Sequence, residues 1–257
     1  MTVGQLWTAL LTLTRKEASR VLRIWPQTLV PPVVTTSLYF VIFGSLIGSR
    51  IGSMGGRQYM DFIVPGLVMM AVITNSYANV SSSFFSAKFQ RNVEEMLVSP
   101  MPSAIILLGY VLGGVLRGLA VGVVVAIVAL LFSNVTVVNW PLSIVMMLGT
   151  SVLFSLAGFF NALFARTFDD ISIIPTFVLT PLTYLGGVFF SITLLPDFWQ
   201  SIARINPILY MIDGFRLGVL GTSDIDVRLS IVVVLTFITV MFVADLVLLK
   251  RGYRLRS

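Results

Sequence analysis

Six apolar stretches, each about as long as a lipid bilayer is thick when wound into a helix, constrain this chain more than any other feature. They fall at 27–47, 61–80, 104–132, 142–164, 171–191 and 229–249. A helix needs about 20 predominantly apolar residues to cross the hydrocarbon core. The composition agrees: 57% of residues are hydrophobic and only 11% charged, against about a quarter charged in a soluble domain. The sequence predicts an all-α polytopic membrane protein with six transmembrane helices in a single domain, residues 1–257.

The spans are not uniformly greasy. The first carries Pro31 and Pro32 near its start, which should bend it. In the second, Pro65 and Gly66 are followed by Thr74, Asn75, Ser76, Tyr77 and Asn79. Polar groups in lipid are expensive, so that face should point at protein or at a water-filled cavity. The third holds Gly109, Gly113, Gly114, Gly118 and Gly122 at spacings that permit close helix packing. Outside the spans, residues 3–25 set Leu6, Leu10, Leu13, Val21 and Leu22 against Arg15, Lys16, Glu17, Arg20 and Arg23. That pattern suits a helix in the membrane interface, with Trp25 at headgroup level. Its positive charges follow the short apolar run Leu6–Leu13, an order unlike that of a signal peptide. Residues 194–228 are semi-apolar, with scattered charges, and read as short re-entrant helices on the outer side before the last span.

One charged segment interrupts the apolar pattern. From Phe85, apolar residues recur at Phe89, Val93 and Leu97, the stripe of an amphipathic helix over 87–100. Lys88, Arg91, Glu94 and Glu95 lie mostly on its other side, and Pro100 and Pro102 stop it. Its cations come early and its anions late, against the helix macrodipole. It is either a solvated loop or a helix that presents charge to a soluble partner. Basic residues set the orientation. Arg15, Lys16, Arg20, Arg23, Lys88, Arg91, Arg166, Lys250, Arg251, Arg254 and Arg256 fall on one side, and Arg50, Arg57, Arg204, Arg216 and Arg228 on the other. Both termini and the 87–100 segment are therefore expected in the cytoplasm.

Several chemistries are excluded. The chain has no cysteine and no histidine, so it has no disulfide, no thiol chemistry and no imidazole for a metal or a proton. No metal site is expected. The net charge of +6 is explained by topology, without nucleic acid. The lysines are Lys16, Lys88 and Lys250, and none sits in a GxxxxGK[ST] context, so the chain is not expected to hydrolyse ATP by that route. Asp245 is the one acid well inside a span and lies close enough to Lys250 to reach the interface. Arg117 falls near mid-span, where a cation costs at least ~2.5 kcal/mol. It must face a partner or a wet cavity, as a structural pair or as a substrate contact. Asn75, Tyr77 and Asn79 are likewise either glue between helices or the lining of a pathway.

The run Arg91-Asn92-Val93-Glu94-Glu95-Met96-Leu97-Val98-Ser99-Pro100 resembles the cytoplasmic signature of type-2 ABC exporter permeases. Leu185 to Phe190, continuing through Asn206, Pro207, Tyr210 and Arg216, is similar to the same family's second signature. The resemblance covers essentially the whole chain, with Ser191 standing where many relatives have proline. It implies that 3–25 is the interface helix and 87–100 a coupling helix docking on a separate ATPase. The coupling residues would be Lys88, Phe89, Arg91, Val93, Glu94, Glu95, Leu97 and Pro100. The outer re-entrant motif would comprise Gly186, Gly187, Asn206, Pro207, Tyr210 and Arg216. It also implies a permease homodimer in the bacterial inner membrane, with the pathway between its copies. Two ATPase subunits would hold ATP and Mg, leaving this chain without a cofactor. The family exports polysaccharides, lipid-linked glycans, drugs and peptides, and the sparse charge here suits an amphipathic cargo. An ion-coupled secondary transporter would want more titratable groups at mid-membrane. A non-transporting scaffold would not need the kinked, polar second and fifth spans.

Overall fold

The computed structural model describes residues 2–252, and the Leu97 side chain and residues 253–257, including Arg254 and Arg256, lie outside the described residues. The chain folds as helices α1 (Val3–Arg23), α2 (Trp25–Ile51), α3 (Tyr59–Phe89), α4 (Asn92–Val98) and α5 (Ser103–Ala129). They are followed by α6 (Trp140–Phe164), α7 (Asp170–Leu185), α8 (Asp197–Ile205), α9 (Pro207–Leu220) and α10 (Val227–Lys250). A hairpin of β1 (Ser53–Met54) and β2 (Arg57–Gln58), antiparallel with Ser53 opposite Gln58, joins α2 to α3. Helices α2, α3, α5, α6 and α10 are long and apolar enough to cross a membrane. At about 1.5 Å per residue, α7 is only ~24 Å long, so the fifth predicted span, 171–191, falls on a shorter apolar helix.

The differences from the sequence expectation have local causes. Helix α7 ends at Leu185, not at residue 191, because Gly186 caps it and Gly187 takes φ +79°, which turns the chain away. Pro175 and Pro181 fall inside α7, and a wide turn at Pro175–Leu179 absorbs the first of them. The single helix expected over 87–100 does not form. Instead α3 continues unbroken to Phe89, the chain reverses through Gln90 and Arg91, and α4 begins at Asn92. Arg91 holds φ 63°, a left-handed conformation that side-chain-bearing residues rarely adopt. The apolar stripe is thereby cut, with Phe85 and Phe89 on α3 and Val93 on α4.

Helix α3 is the axis of the molecule, buried along most of its length between α5 and α6. The glycines of α5 let its neighbours approach. A Cβ at Gly118 would meet Ser76 Oγ at 1.8 Å, and one at Gly114 would meet Ser155 Oγ at 2.3 Å. On its other edge, Gly109 and Gly113 seat Leu13 and Glu17 of α1, where an added Cβ would lie 2.3 Å and 2.5 Å away. The core divides along the axis. One cluster, around Phe84, Phe85, Tyr110 and Phe159, fills the end that carries α1 and α4 (the basic end). The other, around Phe40, Phe62, Tyr77 and Phe215, fills the far end. Helices α2 and α10 flank the bundle with exposed Val30, Val34, Leu38, Val232, Leu235 and Val243, the surface expected against lipid.

Candidate functional site

Asn75, Asn79 and Ser83 recur every fourth residue of α3 and so share one face. Against that face α1 lays Glu17 and Arg20, three residues apart. The Glu17 carboxylate is fully buried, accepts from Ser83 Oγ at 2.8 Å and pairs with Arg20 Nη2 at 3.0 Å. The same Arg20 nitrogen lies 2.8 Å from Asn79 Oδ1 and 3.1 Å from the Asn79 carbonyl. One turn further along, Arg117 of α5 donates from Nη2 to Asn75 Oδ1 at 3.4 Å. A polar seam thus runs from Ser83 through Glu17, Arg20 and Asn79 to Asn75 and Arg117, inside a helix bundle. The seam exists because Gly113 of α5 leaves room for the Glu17 side chain.

The seam leads to a cavity of about 350 Å³ between α2, α3 and α5. Arg117, Asn75 and Thr74 form one wall, and Gln27, Thr28, Pro31, Pro32 and Thr35 of α2 form the other. Tyr77 does not belong here. Two residues on from Asn75, it lies on the opposite side of the helix and is buried in the far-end core. Asn79 sits in the seam and not in the cavity wall. The two ion pairs among the described residues are Glu17–Arg20 and Asp213–Arg216, so Arg117 has no carboxylate partner there.

At the basic end, the segment expected to dock a partner is divided in its roles. Phe89, Arg91, Glu95, Val98 and Pro100 are exposed, and Glu94 is half-buried. Phe89 packs tilted against Phe168, itself half-exposed, with ring centroids 5.3 Å apart. Val93 is turned into the core. Lys88 is not a free docking charge: its Nζ donates to the carbonyls of Leu163 at 2.7 Å and Ala165 at 2.8 Å, capping the C-terminus of α6. The side chain of Leu97 lies outside the described residues.

At the far end, the second signature forms a lock. Arg216 is 2% exposed, lies over the Phe62 ring at 4.1 Å, pairs with Asp213 at 3.6 Å and donates to the Gly187 carbonyl. It therefore holds the turn made by Gly186 and Gly187. Asn206 caps α9 through Ile208 N at 3.0 Å and donates to the Leu182 carbonyl at 2.6 Å, tying α9 to the end of α7. Pro207 occupies the first turn of α9, where its missing N–H costs nothing. Tyr210 reaches back to the Arg204 carbonyl at 2.7 Å. Asp213 in turn accepts from Ser223 Oγ and from the backbone of Asp224 and Ile225.

The sequence pattern puts Glu17 on the polar side of an interface helix and singles out neither Ser83 nor Asp213. The available signal was the acid three residues before arginine, which occurs at Glu17–Arg20 and again at Asp213–Arg216. Asp245 also differs from expectation. It does not reach the interface near Lys250 but is fully buried, with neither carboxylate oxygen partnered among the described residues.

The seam, α4 and the contacts of Arg216 all lie within residues 8–220, the stretch that matches the ABC-2 type transporter family. The chain belongs to that family and is a membrane protein. It is similar to the inner membrane transport permease YadH of Escherichia coli (strain K12), with 58% identity over 251 residues, 98% of each chain. YadH of Shigella flexneri matches to the same degree. Nodulation protein J of Rhizobium leguminosarum bv. trifolii is 25% identical over 83% of this chain and 82% of its own.

Proposed function

We propose that this chain is the membrane-spanning permease subunit of an ATP-driven exporter in the bacterial inner membrane. Two copies form the translocation pathway, and two separate ATPase subunits supply the ATP and Mg that this chain has no motif to bind. The observation that carries this reading is the continuity of α3. The helix that contributes Asn75 to the cavity wall runs unbroken for 31 residues, about 46 Å. It ends at Phe89, beside the exposed face of α4. A push on α4 from a soluble partner would reach the cavity through one rigid element. Helix α4, with Phe89 and Arg91 before it, acts as the coupling element, α1 lies at the cytoplasmic interface, and α8 and α9 act as the outer re-entrant helices. The mixed polar and apolar cavity wall suits an amphipathic cargo such as a lipid, glycolipid, polysaccharide or drug.

A second reading, an ion-coupled carrier, is favoured by one observation, the buried and unpartnered Asp245. Purification of the tagged chain from its own membranes separates the two. The exporter reading expects a co-purifying subunit that hydrolyses ATP, unaffected by Asp245→Asn. Isolation of the chain without such a subunit, together with gradient-driven uptake lost in Asp245→Asn, would support the carrier. The absence of native cysteine makes orientation easy to probe. A cysteine introduced at Ser99 should resist a membrane-impermeant thiol reagent in intact cells, and one at Ser53 should react; labelling at Ser99 would invert the topology.

A further inference from the structure

Arg117 is poorly satisfied for a cation in a membrane span. Its guanidinium carries five donors, yet its one hydrogen bond among the described residues is the 3.4 Å contact to Asn75. Its Nε is buried without a partner among the described residues. The neighbouring Arg20 is already committed to Glu17 and Asn79, so the seam holds two cations and one carboxylate. The opposite wall has a complementary shortage of donors. Pro31 and Pro32 lack the N–H groups that would bond the carbonyls of Gln27 and Thr28 in a regular helix. Thr28 itself is 1% exposed, lines the cavity, and has an unpartnered hydroxyl. A guanidinium with a single long hydrogen bond therefore stands across a cavity of about 350 Å³ from the turn of α2 where Pro31 and Pro32 supply no donors.

We propose that this cavity binds the head of an anionic, hydroxyl-bearing amphiphile, with its phosphate or carboxylate on Arg117 and its hydroxyls on the α2 wall. Planar guanidinium and a two-oxygen acid group match in geometry, so the bond is directional as well as electrostatic. The hydrocarbon part leaves over α2, where Val30 and Val34 are half-exposed beside the cavity-lining Pro31 and Thr35. The inference rests on the exporter reading for its meaning and narrows that cargo to acidic amphiphiles. The binding itself is a property of this chain alone.

The test uses the full chain in phosphatidylcholine nanodiscs, titrated with lysophosphatidic acid, a fatty acid and lysophosphatidylcholine of equal chain length. Affinity is read from the rise in melting temperature with concentration. At least one of the two acids should bind about tenfold or more tightly than the zwitterion, and the ratio between them tells phosphate from carboxylate. Arg117→Gln should lose about tenfold in acid affinity, and Arg117→Lys should retain part of it. Should Arg117→Gln fail to fold, Asn75→Asp provides a separate arm. It sets a carboxylate beside Arg117 and should displace the acid by internal pairing. Equal binding of acid and zwitterion, acid binding unchanged in both Arg117→Gln and Asn75→Asp, or no binding to the wild-type chain would overturn the proposal. The last result would point to a carboxylate of a second copy filling the site. Arg117-dependent binding by a chain that recruits no ATPase would sink the exporter reading and leave the site standing. A chain that recruits an ATPase but binds no acid would do the reverse.

Discussion

Two ion pairs of identical spacing sit at opposite ends of this molecule and behave differently. Glu17–Arg20 and Asp213–Arg216 each place an acid three residues before an arginine, and each buries the acid completely. At the far end the arginine is sealed as well. Its contacts are with Asp213, the Phe62 ring and the Gly187 carbonyl, and all of them hold a turn in place. At the basic end the Arg20 side chain remains 31% exposed and spreads over Glu17 and Asn79 on two helices. From there polar contacts continue to Asn75 and Arg117 and open into a cavity. The same local pattern makes a closed lock in one place and an open seam in the other. What separates them is the packing partner: a turn and an aromatic ring against Arg216, and the polar face of α3 beside the α5 glycines against Arg20.

Removing the arginine of the lock should have the largest effect on stability. Arg216→Met leaves Asp213 as a buried charge without its cation, which costs about 3 kcal/mol or more. The thermal unfolding of the solubilised chain should shift down sharply, and Arg216→Lys should recover only part because it cannot fork between Gly187 and Asp213. Breaking the seam should cost less. In Glu17→Gln, Arg20 keeps Asn79 and its access to water, so the loss should be about 1–2 kcal/mol. Equal destabilisation by Arg216→Met and Glu17→Gln would make the lock and the seam energetically equivalent. Ser83→Ala removes one interhelical hydrogen bond to Glu17, worth about 0.6 kcal/mol inside a membrane protein. Its melting temperature should lie between those of the wild type and Glu17→Gln.

Much of the fold was legible because lipid imposes a length that composition reveals directly. Five of the six predicted spans fall on helices long and apolar enough to cross a membrane, the one at 171–191 falls on the shorter α7, and the α5 glycines pack as their spacing suggested. The errors arise where one residue's backbone or one side chain's partner decides. The periodicity of Phe85, Phe89, Val93 and Leu97 is real, but a left-handed Arg91 interrupts it, and nothing in an arginine announces that conformation. Gly187 is easier to understand afterwards, since glycine is the residue suited to its turn. Asn75 and Arg117 were singled out individually, and their meeting depended on the register between α3 and α5. Tyr77 was grouped with Asn75 by closeness in sequence, although alternate residues of a helix face apart. Glu17 is expected on the polar side of an interface helix and Lys88 at a docking surface, because charge usually faces outward. Each is instead tied to groups that tertiary packing brings near: Ser83 to one, and the end of α6 to the other.

If α4 is where an ATPase drives this permease, reversing charge on α4 without touching any span should separate the two. Glu95 is exposed and Glu94 half-buried on α4, so Glu94→Lys with Glu95→Lys should leave insertion and melting temperature nearly unchanged. Like charge placed against a complementary surface can cost several kcal/mol. The measurement is the amount of ATPase subunit retained by the tagged permease from native membranes, wild type against double variant. A loss of about tenfold or more is expected, with ATP-driven export falling alongside it. Full retention of the subunit with undiminished export would contradict it, and would return this segment to the role of a solvated loop.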